Sequence, residues 1–195
     1  MERRHFMALT GAAALAPALP AAALTQARAT TLVNSLILDI NRVISSGKSE
    51  DAMLKDFERI FAKYSDTSYI SAYAMGVDGR RASTEQKRAF STAFQGYVAR
   101  KYGRRFREFI GGRLEVKNVK KVKSWYEVDT TAFLRGESPF TVTFHVSDRT
   151  GRDLFFNMFI EGINLLLTER TEIGALLDRN GGNIDAMIRD LQTTS

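Results

Sequence analysis

Apolar residues recur at helical spacing from Val33 to Phe109, at alternate positions from Leu114 to Ile160, and at helical spacing again towards the end. Thr30 or Thr31 caps a first helix with the stripe Val33, Leu36, Ile37, Ile40, Val43 and Ile44, closed by Gly47. Ser49 caps a second, where Glu50 and Asp51 suit the positive end of the helix dipole and Leu54, Phe57, Ile60, Phe61 and Tyr64 form the stripe. Asp66 starts a short third helix carrying Tyr69, Ile70 and Tyr73. After a loop over Val77 to Arg81, Ser83 and Gln86 form a capping box for the longest helix. Its one apolar face is almost wholly aromatic: Phe90, Phe94, Tyr97, Val98, Tyr102, Phe106 and Phe109, stopped by Gly111-Gly112.

The period then changes. Leu114, Val116 and Val119 open a strand region studded with Lys117, Lys120, Lys121 and Lys123, and Trp125 to Leu134 follows, rich in β-formers. Pro139 stands at the start of the next strand, where a missing donor is tolerated. There Phe140, Val142, Phe144 and Val146 share one face, with Thr141, Thr143, His145 and Ser147 opposite. Beyond the Ser147 to Gly151 turn, Leu154 to Ile160 is apolar on both faces except at Asn157. That is more large apolar residues than one core face uses, and it calls for apolar material on each side of the strand, helix on one and a ligand on the other. Glu161-Gly162 and the apolar Ile163 to Leu167 lead into a helix from about Thr168 to Arg179, and Asn183 caps a last one with Ile184, Met187, Ile188 and Leu191 inward. Helices followed by an antiparallel meander, without repeats or long linkers, define a single α+β domain.

Residues 1–29 read as a cleaved export signal and 30–195 as the domain. Arg3-Arg4 precedes a mild apolar stretch from Phe6 to Leu19, too short and too alanine-rich to span a bilayer. Arg-Arg-His-Phe resembles a twin-arginine signal; a general secretory signal is the alternative. Ala21-Ala22-Ala23, Thr25-Gln26-Ala27 and Ala27-Arg28-Ala29 each suit cleavage. The expected location is the periplasm. The chain carries a net charge of +6 and stays basic without the leader. Outside the cytoplasm such charge points to anionic lipid or an acidic protein face rather than nucleic acid. Arg100, Lys101, Arg104, Arg105 and Arg107 lie opposite the aromatic face of the long helix, with the strand lysines close behind. Arg100, Arg104, Arg105, Lys120 and Lys121 are the docking candidates, against a plain solvated face.

Cysteine is absent, which excludes disulfides, thiolate metal sites, a cysteine nucleophile and a lipoprotein anchor. His145 is the one histidine past the leader, so His-based zinc chemistry is not expected. There is no phosphate loop after a strand, no Ser-His-Asp set and no spaced metal ligands. Glu161 and Asp153 flank the last hairpin, but a Glu before Gly at such a junction reads as a turn or cap residue. His145 sits on the polar face of its strand with no partner to make it a base. No catalytic residue, metal or cofactor is expected.

The motif Asn157-Met158-Phe159-Ile160-Glu161-Gly162-Ile163-Asn164-Leu165 resembles the MlaC (toluene-tolerance) family of periplasmic phospholipid carriers. The family pattern there is an aspartate, apolar residues, Glu-Gly, a β-branched residue and usually Ser. Similarity continues at Arg170 and Glu172, at Gly182 with Asp185-Ala186-Met187-Ile188 and Leu191, and at Phe94-Gln95-Gly96-Tyr97 with Tyr102-Gly103. It spans nearly all of the chain past the leader. Asn157 replaces the family's acid, Asn164 its Ser, and Asp153-Leu154-Phe155 stands where many members have Gly-x-Trp-Lys-Val. The resemblance implies a fold like nuclear transport factor 2, a curved antiparallel sheet wrapped by helices with an apolar lipid cavity between them. It implies phospholipid as cargo, an ABC transporter complex in the inner membrane and a lipoprotein–porin complex in the outer membrane as partners, and a monomeric, non-enzymatic carrier. Phe94, Tyr97, Tyr102, Phe109, Val142, Phe144, Phe159, Ile163, Leu166 and Leu167 are then the expected lipid-binding residues. The alternatives are an exported enzyme of the same fold acting on an apolar substrate, which needs a buried carboxylate or His in the cavity, and an envelope interaction module with a filled core.

Overall fold

The computed structural model describes residues 23–103, 112–134 and 136–194. α1 (Gln26–Ile44) starts where the Thr25 hydroxyl accepts from the Arg28 amide at 3.2 Å. This is earlier than the threonines at 30 and 31 suggest; their hydroxyls instead donate back to the carbonyls of Gln26 and Ala27 inside the helix. Leu24 and Ala29 are buried in the core. Residues 24–29 thus pack with the fold, on the leader side of the boundary expected at 29. α2 (Glu50–Tyr64) follows, and Asp66 accepts from the Tyr69 amide at 3.0 Å to cap α3 (Thr67–Met75). The expected loop is a 3-10 turn, Gly76–Arg80.

The capping box of α4 (Thr84–Gly103) forms as the spacing predicts, with Ser83 N donating to Gln86 Oε1 at 3.0 Å and Gln86 N to Ser83 Oγ at 3.1 Å. Phe106, Phe109, Arg104, Arg105 and Arg107 lie outside the described residues. Gly103 lets α4 close on α2, since a Cβ there would stand 2.8 Å from Leu54 Cδ2.

Five antiparallel strands follow in the order of the chain: β1 (Arg113–Val122), β2 (Trp125–Phe133), β3 (Phe140–Ser147), β4 (Leu154–Ile160) and the short β5 (Ile163–Asn164). The sheet is open, with β1 at one edge. α5 (Leu165–Arg179) and α6 (Ile184–Thr193) complete the domain. α1 crosses β1, β2 and β3, α4 packs on α2, α3 and α6, and α5 lies against α3 and β4. Opposed pairs share a face, so Val128 with Phe144 and Thr130 with Val142 look inward, while Glu127 with His145 and Asp129 with Thr143 look outward.

The strict alternation read for β3 holds. β4 is different: His145 opposes Asn157, yet the next residue, Val146, opposes Phe155, so Phe156 is an extra residue. This β-bulge reverses the phase of the strand. Phe155 looks inward before it, and Met158 and Ile160 look inward after it, opposite Phe144 and Val142.

Glu161 and Gly162 form the two-residue turn between Ile160 and Ile163, with φ of 50° and 77°, the sign that a type I′ hairpin turn needs at both positions. Asn164 then accepts from the Leu167 amide at 3.1 Å and caps α5, which begins at Leu165 rather than near 168. The inward stripe becomes Leu166, Glu169, Ile173, Leu176 and Leu177.

Candidate functional site

Between the helices and the inner sheet face lies an apolar cavity of about 400 Å³, within the range of small-molecule sites. Its sheet wall includes Val142 and Phe144 of β3, Phe155, Met158 and Ile160 of β4, and Leu114 of β1, with Phe156 and Asn157 at its border. Phe155 meets Phe61 and Phe144 edge-on, at centroid distances of 6.1 and 5.9 Å. The helical wall comes from Leu36, Ile37 and Ile40 of α1, from Phe57, Ile60 and Phe61 of α2, and from Phe94, Val98 and Tyr102 of α4. Leu165 and Leu166 of α5 close it on a further side, with Leu134 and Glu137 of the β2–β3 connection and Phe140 at the start of β3.

Of the expected lipid-binding residues, Phe94, Tyr102, Val142, Phe144 and Leu166 line this space. Four others do not. Tyr97 is one step around α4 from the 94, 98, 102 row, and it faces α5, where its hydroxyl donates to Glu172 at 2.7 Å. Phe159 is turned by the bulge to the outer face of the sheet and stacks on His145 at 4.8 Å. Ile163 and Leu167 are 60% and 51% exposed. Ile163 belongs to β5, not to a helix, and capping by Asn164 phases Leu167 away from the core. The cavity is thus on the helix side of the sheet. The outer side of β4 is covered by Trp125, His145, Phe156 and Phe159 instead. The parts that α1 and α2 play were missed; their stripes read as core, and periodicity cannot tell a core face from a cavity wall.

One buried carboxylate interrupts the apolar lining. Glu169, 3% exposed, accepts through Oε1 from Lys101 Nζ at 2.7 Å and from the Tyr102 hydroxyl, while its Oε2 is buried without a partner. Lys101 also pairs with Glu172. Burial opposes ionisation of Glu172, but hydrogen bonds from Lys101 and Tyr97 outweigh it and hold its pKa below the usual carboxylate range. Burial, reinforced by Glu172, pushes the Tyr97 hydroxyl far above its ordinary pKa. The cluster ties α4 to α5. Arg100 donates to the carbonyls of Leu191 and Thr194 at the C-terminus of α6, so it serves packing rather than standing free for docking. Lys120 and Lys121 are exposed on β1. Arg104, Arg105 and Phe109 fall outside the described residues.

His145 lies away from the cavity. Burial lowers its pKa from 6.5, although Glu127, 3.5 Å away, pulls the other way. The imidazole is neutral in the fold at pH 7. Unfolded chain takes up this proton at a higher pH than folded chain, so stability is complete above about pH 6.5 and falls as pH drops through the folded pKa. Wild type is expected to lose more stability between pH 7.5 and pH 5 than His145→Phe does, read from urea midpoints at each pH. Equal losses would show that His145 does not contribute.

Among the described residues no group of His, Asp and Glu could hold a metal ion, and no helix is long and apolar enough to cross a membrane.

An open antiparallel sheet with helices folded over an apolar chamber is the architecture of a binding domain for an apolar ligand. The family model described as MlaC protein matches residues 31–193, and the chain belongs to the MlaC family. Among solved structures, the phospholipid-binding protein from Ralstonia solanacearum, determined in complex with a phospholipid, has the same fold, with a TM-score of 0.73. The two are 17% identical, over 85% of this chain and 95% of that one. No curated protein matches the sequence.

Proposed function

We propose that the protein is a periplasmic carrier that holds phospholipid acyl chains in its cavity and moves lipid between inner- and outer-membrane complexes. The observation that carries this reading is the apolar chamber itself, walled by the sheet and the helices over it and placed in a fold whose neighbour was determined with a phospholipid. The physical need is large. At about 0.8 kcal/mol per methylene, exposing two acyl chains of about sixteen carbons to water costs over 20 kcal/mol. A chamber that matches the bilayer removes that cost, and docking on a membrane complex drives release. Glu169 is a buried carboxylate in the chamber, as an enzyme would need, and Lys101 and Tyr102 anchor it in the α4–α5 interface.

Organic extraction of the purified protein, followed by mass spectrometry, is expected to yield diacyl phospholipid near one per chain. Well-folded preparations that repeatedly contain none would end the proposal.

Lys120 and Lys121 are the exposed docking candidates. Charge acts mainly on association rate, so Lys120→Glu with Lys121→Glu is expected to slow transfer to anionic acceptor vesicles by roughly tenfold at low ionic strength. Transfer at the wild-type rate would leave these lysines the simpler task of guarding an edge strand from pairing with another sheet.

A further inference from the structure

The leader offers three bonds for cleavage, after Ala23, Ala27 or Ala29, and the fold distinguishes them. Leu24 is buried, and its backbone nitrogen donates to Asp148 Oδ2 at 2.7 Å. Thr25 caps α1. Arg28 grips Asp153 with two nitrogens, Nε to Oδ2 at 2.8 Å and Nη2 to Oδ1 at 2.6 Å. Ala29 is wholly buried. Asp148 and Asp153 bracket the β3–β4 turn, so the first turn of α1 is held to both ends of it. A cut after Ala27 discards Leu24 and the cap; a cut after Ala29 discards the Arg28–Asp153 pair and a core residue as well. Ala23, by contrast, is exposed and precedes the helix.

We infer that the export signal is removed at the Ala23–Leu24 bond, and that the α-ammonium so created pairs with Asp148. The inference rests on the reading of the protein as exported. Hydrolysis adds water across the amide, leaving a carboxylate on Ala23 and an ammonium on Leu24, with no further reactant. The neutral donor that already faces Asp148 becomes a charged one, which strengthens that hydrogen bond. Processing thereby completes a second ion pair beside Arg28–Asp153.

The full chain is produced in a bacterium with two membranes, and the periplasmic protein is analysed by N-terminal sequencing and intact mass. A chain beginning at Leu24 is expected. A start at Arg28 or Thr30 overturns the inference and leaves export standing; a chain that keeps its leader in the cytoplasm overturns both. The ion pair is read separately by labelling the α-amine with an acylating reagent near pH 7. Asp148→Asn is expected to keep the Leu24 start and to raise labelling roughly tenfold, the effect of about one pKa unit. Equal labelling of the two proteins overturns the pairing.

Discussion

Met158→Glu is expected to empty the cavity of lipid and leave a folded protein, while Leu167→Glu keeps its cargo. Met158 is half-buried on β4, opposite Phe144, and lines the chamber. A carboxylate there would face acyl chain without a partner, a cost of several kcal/mol. At 1.4 kcal/mol per tenfold, lipid affinity falls about a hundredfold or more. In the empty protein the same carboxylate borders a space that admits water, so less of the cost falls on folding. Leu167 is half exposed on the far side of α5, and charge there meets solvent. The readouts are lipid per protein by mass spectrometry and the thermal transition. If Met158→Glu holds lipid as wild type does, the sheet wall is misassigned; if Leu167→Glu loses it, the exposed residue has a part that its position does not suggest.

Phe90→Ala should produce the largest loss of stability without opening the chamber. Phe90 is 1% exposed and stacks on Phe94 at a centroid distance of 5.5 Å. Phe94 lines the chamber; Phe90, one turn earlier, does not. Deleting a buried phenyl ring costs about 3–5 kcal/mol, from lost transfer energy and the void left behind. The urea midpoint should fall accordingly, and the surviving folded protein should still carry lipid. A loss under about 1 kcal/mol would mean that α4 is not seated as described.

What could be read from the sequence was what short-range chemistry decides. Ser83, Asp66 and Asn183 announce helix starts because each side chain accepts from the amide three residues on, and Gln86 returns the bond to the Ser83 amide. The alternation in β3 is legible because one face meets the core along its whole length. The failures come from single residues that reset a phase. Thr25, not Thr30 or Thr31, caps α1, and nothing local ranks one threonine over another until Leu24 and Ala29 find their places in the core. Asn164 reads as a substitute for Ser in a motif, yet as a cap it decides which of Leu166 and Leu167 turns inward. Arg100 sits in a run of positive charge, but its targets, the carbonyls of α6, lie more than ninety residues away. A contact so distant leaves no mark near the residue that makes it.

The extra residue in β4 has a further consequence. Upstream of Phe156 the residue paired to the inner face is odd-numbered, Phe155; downstream the inner-face residues are even-numbered, Met158 and Ile160. Inside and outside are assigned by parity, and one residue switches it. Substitutions along β4 alter the wall one side chain at a time. A single deletion at 156 would remove the extra residue and restore plain alternation, leaving Met158 and Ile160 opposite Phe144 and Val142 on the inner face and Phe159 on the outer one. The wall therefore tolerates the loss of one residue at this point, whereas a deletion where pairing is regular, at Phe159, would turn Ile160 away from the chamber.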